Sequence, residues 1–283
     1  MGIRSFFHKI KIGFARMGES SIPYVSSIKR YGNNGENEFA YLIRQALPAC
    51  RIKRNIVINT ADGNAEIDCL ILYQNKIFAI EVKRWKGRLF ETENGFIQYK
   101  TDRWTGEIHS KFQKSPFKQL NRAVYLLKKQ IPYAVWVNNI VFFEDKEFES
   151  IKTLSDSIWF NEIDKLAKYI INDGKMSSAV NAERFYCECV SSDCLYAKIW
   201  DKSLHCLIEY DSLKFQIDNE EISREQIRHI HINHHFAYDE LNITLKDGRV
   251  KCITTENAKI SLKENGTIRP QALCKIDYIE LGE

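Results

Sequence analysis

Three strand-length segments follow one another in this chain with only tight turns between them, and that spacing leaves few folds open. Residues 52–58, 66–73 and 77–83 are rich in Ile, Val, Leu and aromatic side chains, and Ala61-Asp62-Gly63-Asn64 and Gln74-Asn75-Lys76 separate them. Links this short cannot carry a crossover, so the segments must run antiparallel as a meander. A helix is expected before the meander. Asn34 would cap it, Glu36 would lie in its first turn, and Glu36, Ala40, Ile43 and Leu47 would form its inward stripe up to Pro48. After the meander, residues 87–112 have hairpin character and Pro116 opens a helix through Gln119, Ala123, Leu126 and Leu127. Residues 133–143 read as a buried strand and 163–171 as a helix. The order is α-β-β-β-α-β, an α/β class.

Beyond Asp173-Gly174 the texture changes to short alternating runs broken by Asp218-Asn219, Asp247-Gly248 and Asn265-Gly266. A small, mostly antiparallel β domain is expected there, with at most a short helix near residues 223–228. At the other end, Ile3, Phe7, Ile10, Phe14 and Met17 recur at helical spacing, with Arg4, Lys9, Lys11 and Arg16 off the stripe. Such a stripe most often packs on the protein's own core. The expected organisation is a basic amphipathic helix and linker over residues 1–30, an α/β domain over 31–175 and a β-rich domain over 176–283.

No stretch approaches the ~20 apolar residues that span a bilayer. The first residues lack the apolar core of a secretory signal, and Phe6 stands where a myristoylation pattern needs Ser or Thr. A cytoplasmic protein without membrane contact is expected, and eight scattered cysteines fit if they are reduced. Charge divides the chain. Residues 1–130 carry 23 Lys and Arg against 11 Asp and Glu, a net of +12, while the remainder is −8. The first half therefore suits a polyanion and the second does not.

Glu81 and Lys83 project to one side of their strand, above Ile77 and Ala79. Charges at the end of an apolar strand lose hydration and need partners. Asp68, one hairpin away, can approach Glu81, and two such carboxylates are unfavourable together unless a cation lies between them. Carboxylates, a backbone carbonyl and water are the hard oxygen ligands that Mg²⁺ takes. Glu-x-Lys alone is common as a surface ion pair. Its weight here comes from Asp68, from Glu36 on a core-facing helix and from Gln119 on the next helix.

Four motifs in order carry a resemblance: Gly32-x-x-Gly35-Glu36, Asp62-Gly63-x-x-Glu66-Ile67-Asp68, residues 78–87 (FAIEVKRWKG), and Pro116-Phe117-x-Gln119. Together they resemble the NERD (nuclease-related) domain family of the PD-(D/E)xK, restriction-endonuclease-like superfamily, over about residues 31–143. The resemblance implies an αβββαβ core and Mg²⁺- or Mn²⁺-dependent cleavage of nucleic-acid phosphodiesters. It also implies Glu36, Asp68, Glu81, Lys83 and Gln119 as catalytic candidates, with Asp68, Glu81 and Glu36 as metal ligands. Glu66 belongs to the matched motif without a clear role. Two positions depart from the pattern: Cys69 where relatives usually have histidine, and Ile67 where the superfamily name has proline.

Arg84, Lys86, Arg88, Lys118 and Arg122 are the expected nucleic-acid contacts, within a basic stretch that also holds Lys100, Arg103, Lys111 and Lys114, with Trp85 and Trp104 as stacking surfaces. The sequence thus reads as a metal-dependent DNA endonuclease of DNA processing or phage defence, with DNA ahead of RNA as substrate. Self-association or a protein partner is expected through the C-terminal β domain. The alternative is a non-catalytic nucleic-acid-binding module whose β domain recruits a partner. In the second domain, Cys187, Cys189, Cys194 and His205-Cys206 could hold zinc, but their spacing is not that of a zinc ribbon. His229, His231, His234 and His235 read instead as part of an interaction surface.

Overall fold

The computed structural model describes residues 27–282 apart from Lys86, Arg103, 145–150, 153–157, 198–201, 236–237, Asn257 and 265–266. The N-terminal stripe and the Asn265-Gly266 turn lie outside the described residues. Two compact units emerge, one over Ser27–Ser191 and one over Ser192–Gly282. The first is mixed α/β and the second is an antiparallel, curled β unit.

The first unit opens with helix α1 (Ser27–Ala46) and the meander β1 (Arg51–Thr60), β2 (Gly63–Tyr73) and β3 (Lys76–Lys83). Helix α1 begins seven residues ahead of the expected cap Asn34 and runs through Gly32-Asn33-Asn34-Gly35. Turn-prone composition is overridden there by packing, because Gly35 is buried against the side chains of Arg84 and Glu144. The chain then forms β4 (Arg88–Thr92), β5 (Gly95–Thr101) and β6 (Ile108–Lys114), helix α2 (Pro116–Gln130) and strand β7 (Val137–Phe143). Short strands β8 (Ile151–Lys152) and β9 (Trp159–Phe160) and helices α3 (Ile163–Asn172) and α4 (Ala179–Glu188) complete the unit.

The central sheet has the order β1-β2-β3-β7-β9. Its first three strands are antiparallel, and β7 lies parallel to both β3 and β9. A parallel β3/β7 pair needs a crossover, which β4–β6 and α2 supply. Helix α2 is capped by the Ser115 hydroxyl, which accepts from the Lys118 N–H at 3.3 Å, and starts on Pro116. Its Leu120, Ala123, Val124 and Leu127 join Ile77 and Ala79 of β3 and Leu70 and Leu72 of β2 in one apolar layer. The opposite layer packs Phe39 and Ile43 of α1 and Leu166 and Ile170 of α3 on Phe78, Ile80 and Val82. Side-chain alternation along β3 therefore sends Glu81 and Lys83 to the α2 side.

Two sheet lysines finish two helices. Lys76, nearly buried, donates to the carbonyls of Ile171 at 2.8 Å and Asp173 at 2.6 Å, at the end of α3. Lys53 donates to Tyr186 at 2.9 Å and Cys189 at 2.6 Å, at the end of α4. A cation at the carbonyl end satisfies acceptors that the helix itself leaves open.

The second unit is built on an eight-stranded antiparallel sheet from Asp193–Ala197 through Tyr278–Glu280, with a two-stranded hairpin Phe215–Ile217/Glu220–Ile222. Asp218 and Asn219 both take positive φ (51° and 64°), as a tight hairpin turn demands, and Gly248 (φ 90°) closes another. A 3₁₀ turn at Arg224–Gln226 is the short helix expected near residue 223.

Candidate active site

The pairing of β2 with β3 runs from Tyr73↔Lys76 to Cys69↔Ile80 and stops there. The next opposed positions are Asp68 and Glu81, and on an antiparallel pair opposed side chains share a face. The Asp68 carboxylate takes over from the ladder: its Oδ2 accepts the Val82 backbone N–H at 2.8 Å. The strands are thus tied by a side chain where they part. Two carboxylates face each other at that mouth, as the hairpin in the sequence required.

Glu81 is fully buried. Its Oε1 meets the Lys83 ammonium in an ion pair, while its Oε2 is buried without a hydrogen-bond partner. Burial pushes the Glu81 carboxyl up to about 8, helped by the charges of Asp68 and Glu36 and opposed by Lys83. Burial pulls Lys83 down, but Glu81, Asp68 and Glu36 outweigh it and hold the amine above its ordinary value. The structure therefore brings Glu36, Asp68, Glu81 and Lys83 into one electrostatic group. Gln119 stands exposed in the first turn of α2, its backbone N–H on the Ser115 carbonyl at 3.1 Å.

A buried carboxylate oxygen without a donor, opposite a second carboxylate, is an unfavourable arrangement that a hard cation would relieve. The donors at this point are oxygens, which suits Mg²⁺ or Mn²⁺ and not a thiolate-seeking metal. Among the described residues no group of three or more His, Cys, Asp or Glu closes to metal-ligand geometry. Two carboxylates completed by water is the mode in which Mg²⁺ is usually held, so the residues fit it.

Residues 31–144 match the NERD family, the nuclease-related domain. Comparison with curated proteins and with solved structures returns no match. The NERD segment takes in Glu36, Asp68, Glu81, Lys83 and Gln119, and it ends on Glu144, whose importance only the fold reveals. Arg84 pairs with Glu144 through Nε and with Glu38 of α1 at 2.9 Å. Gly35 makes room for it: a Cβ there would stand 2.5 Å from Arg84 Cδ and 2.6 Å from Glu144 Oε1. Arg84 thereby ties α1, the carrier of Glu36, to the end of β7.

The expected nucleic-acid contacts of the NERD segment fall into different roles. Arg84 is half-buried and engaged by Glu38 and Glu144. The Arg122 guanidinium donates to the Asn64 carbonyl at 3.1 Å, bracing the β1–β2 turn, and Lys118 reaches the Glu93 carbonyl in the β4–β5 turn. Arg88 is exposed, and Lys86 lies outside the described residues. Trp85 packs against Phe96 and Phe143 at about 6 Å and belongs to a core, whereas Trp104 is 97% exposed. Cys69 is buried on the opposite side of β2 from Asp68, and burial raises its thiol pKa, so it offers no proton exchange.

Asn55 escaped the sequence reading. It sits in β1 at φ 51°, between Arg54 and Ile56, whose partners Cys69 and Ile67 flank Asp68. Its Oδ1 is buried without a hydrogen-bond partner. Its only signal in the sequence is an Asn, a residue that tolerates positive φ, between Arg54 and Ile56 in a strand.

In the other unit, Cys194 and Cys206 are buried, while Cys187 and Cys189 belong to the first unit. None of the eight cysteines forms a disulfide. Among the described residues no helix is long and apolar enough to cross a membrane.

Proposed function

We propose that this protein is a metal-dependent nuclease that hydrolyses nucleic-acid phosphodiester bonds, a cytoplasmic DNA endonuclease of DNA processing or defence. In this reading α1, β1–β3, α2 and β7 are the αβββαβ core of the restriction-endonuclease-like fold, with β4–β6 inserted in the crossover. The observation that carries it is the Asp68/Glu81 pair at the parting of β2 and β3, with Lys83 on one oxygen of Glu81 and nothing on the other.

Asp68 and Glu81 would hold a divalent cation, with Glu36 beside them. Such an ion would polarise the phosphoryl group and lower the pKa of the attacking water. Lys83 is held as an ammonium by three carboxylates, so it donates rather than accepts protons. Its part is to orient the water and to stabilise negative charge developing on the phosphoryl oxygens. Arg84, fixed to Glu38 and Glu144, keeps Glu36 in range. The acidic β unit would serve a partner, a second copy or regulation.

The test is incubation of the purified full chain with supercoiled plasmid, linear duplex, single-stranded DNA and RNA, in Mg²⁺ or Mn²⁺. Glu81→Ala and Lys83→Ala serve as controls. Cleavage by wild type and its loss in both variants is expected. Equal product from all three proteins would mark a contaminant and sink the assignment. Binding without cleavage of any substrate would favour the non-catalytic module instead.

A further inference from the structure

The sheet inserted in the crossover has the order β6-β5-β4-β8, and its two faces differ in kind. The inner face carries Leu89 and Phe96, which pack with Phe117, Val141 and Phe143 in a small core. The outer face follows from the register. Phe90 lies opposite Ile97, which lies opposite Phe112; Arg88 lies opposite Tyr99; Thr101 lies opposite Ile108. Phe90 is 44% exposed, Phe112 56% and Ile108 68%. The Phe90 and Tyr99 rings meet edge to face at 5.5 Å.

We propose that this outer face is a stacking platform for single-stranded DNA, which it delivers to the Asp68/Glu81 site. The inference rests on the nuclease reading above. Three observations favour this occupant. The exposed rings of Phe90 and Phe112 flank Ile97 in one row across three strands, with the half-buried Tyr99 ring beside Phe90, where bases can stack. Alternation gives the outer face Arg88 and Lys114 and no carboxylate, the charge pattern for phosphates beside bases. A second copy laid face to face would set these cations against their own equivalents.

The third observation is Trp104, at the β5–β6 end beyond Ile108. Its turn is well fastened: Asp102 Oδ1 accepts the N–H groups of Trp104 and Thr105, each at 2.8 Å, and Thr105 Oγ1 accepts that of Glu107 at 3.2 Å. A large ring that is almost wholly exposed offers its face to a base, and the backbone that carries it is already hydrogen-bonded. A duplex hides its base faces, so a stacking platform selects unpaired strands.

The experiment measures binding of the full chain to a labelled single strand, to its duplex and to the matching RNA. EDTA is present, and fluorescence anisotropy is the readout. The variants are Phe90→Ala/Phe112→Ala, Trp104→Ala and the conservative Phe112→Tyr, each with its thermal midpoint checked. A tenfold or greater loss for the single strand in the alanine variants is expected, with duplex binding unchanged and Phe112→Tyr close to wild type. Unchanged single-strand affinity, or an equal loss for strand and duplex, overturns the platform. Tighter binding of RNA than DNA overturns the choice of DNA, and concentration-dependent dimers lost in the variants assign the face to a second copy. Cleavage by wild type together with unaltered variant binding removes the platform and leaves the nuclease standing. Platform-dependent binding without cleavage does the reverse.

Discussion

Two carboxylates in this protein are buried to the same degree and treated in opposite ways. Asp193, in the second unit, is fully buried and fully satisfied. Arg224 meets it with two nitrogens at 2.6 and 3.0 Å, and the backbone N–H groups of Ile208 and Gly282 donate at 2.8 and 2.9 Å. Glu81, in the first unit, has one lysine, one oxygen without a donor and a second carboxylate opposite it. A carboxylate that serves architecture is surrounded by every donor it can take. One left short of donors at the end of a strand is an unfavourable group, and burial raises its pKa accordingly.

Exchange of each acid for its amide should separate the two roles. Glu81→Gln is expected to lower cleavage by about a thousandfold or more, since it removes a ligand and the partner of Lys83. The same change should cost little metal-free stability, because the loss of a buried like charge beside Asp68 offsets the loss of Lys83's partner. Asp193→Asn should do the opposite. Arg224 would lose its counter-charge, and the second unit should lose about 3–5 kcal/mol in chemical denaturation. Equal stability losses in the two variants would erase the distinction.

The meander, α2 and β7 were legible in the sequence because they rest on local periodicity and turn residues. The Asp68/Glu81 pairing was legible for the same reason, with a single turn between the two residues. The ion pairs of Arg84 were not, because its partners Glu38 and Glu144 are 46 and 60 residues away. Helix α4 shows only a short apolar stripe, Ala182, Phe185 and Tyr186, at helical spacing and buried, ahead of Cys187-x-Cys189. The start of α1 was missed because Gly-Asn-Asn-Gly reads as a turn until Gly35 is seen against Arg84.

That close approach supplies a smaller test. Gly35→Ala would press a methyl group into Arg84 and Glu144, at a cost of about 1–3 kcal/mol. If Arg84 positions Glu36, cleavage should fall in Gly35→Ala and in Arg84→Lys while affinity for uncleaved DNA in EDTA holds. Loss of DNA affinity in Arg84→Lys, with cleavage per bound complex intact, would return Arg84 to the phosphate contacts.

The smallest effect is the most specific to Glu81. Its folded-state pKa lies above that of an unfolded glutamate, so the folded protein holds a proton that the unfolded chain has released. The contribution is harmless below about pH 4.5, and stability is lost as pH rises from there to about 8. A cation bound beside Glu81 replaces that proton, so Mg²⁺ should raise the thermal midpoint of the first unit by about 3 °C at pH 8.5 and by less at pH 6. Binding should release protons near neutral pH, which calorimetry in buffers of different ionisation enthalpy reads directly. In Glu81→Gln both the pH dependence and the proton release should vanish, whereas in Asp193→Asn they should persist. A Mg²⁺ response that ignores pH would place the ion elsewhere and separate the unsatisfied carboxylate from metal binding.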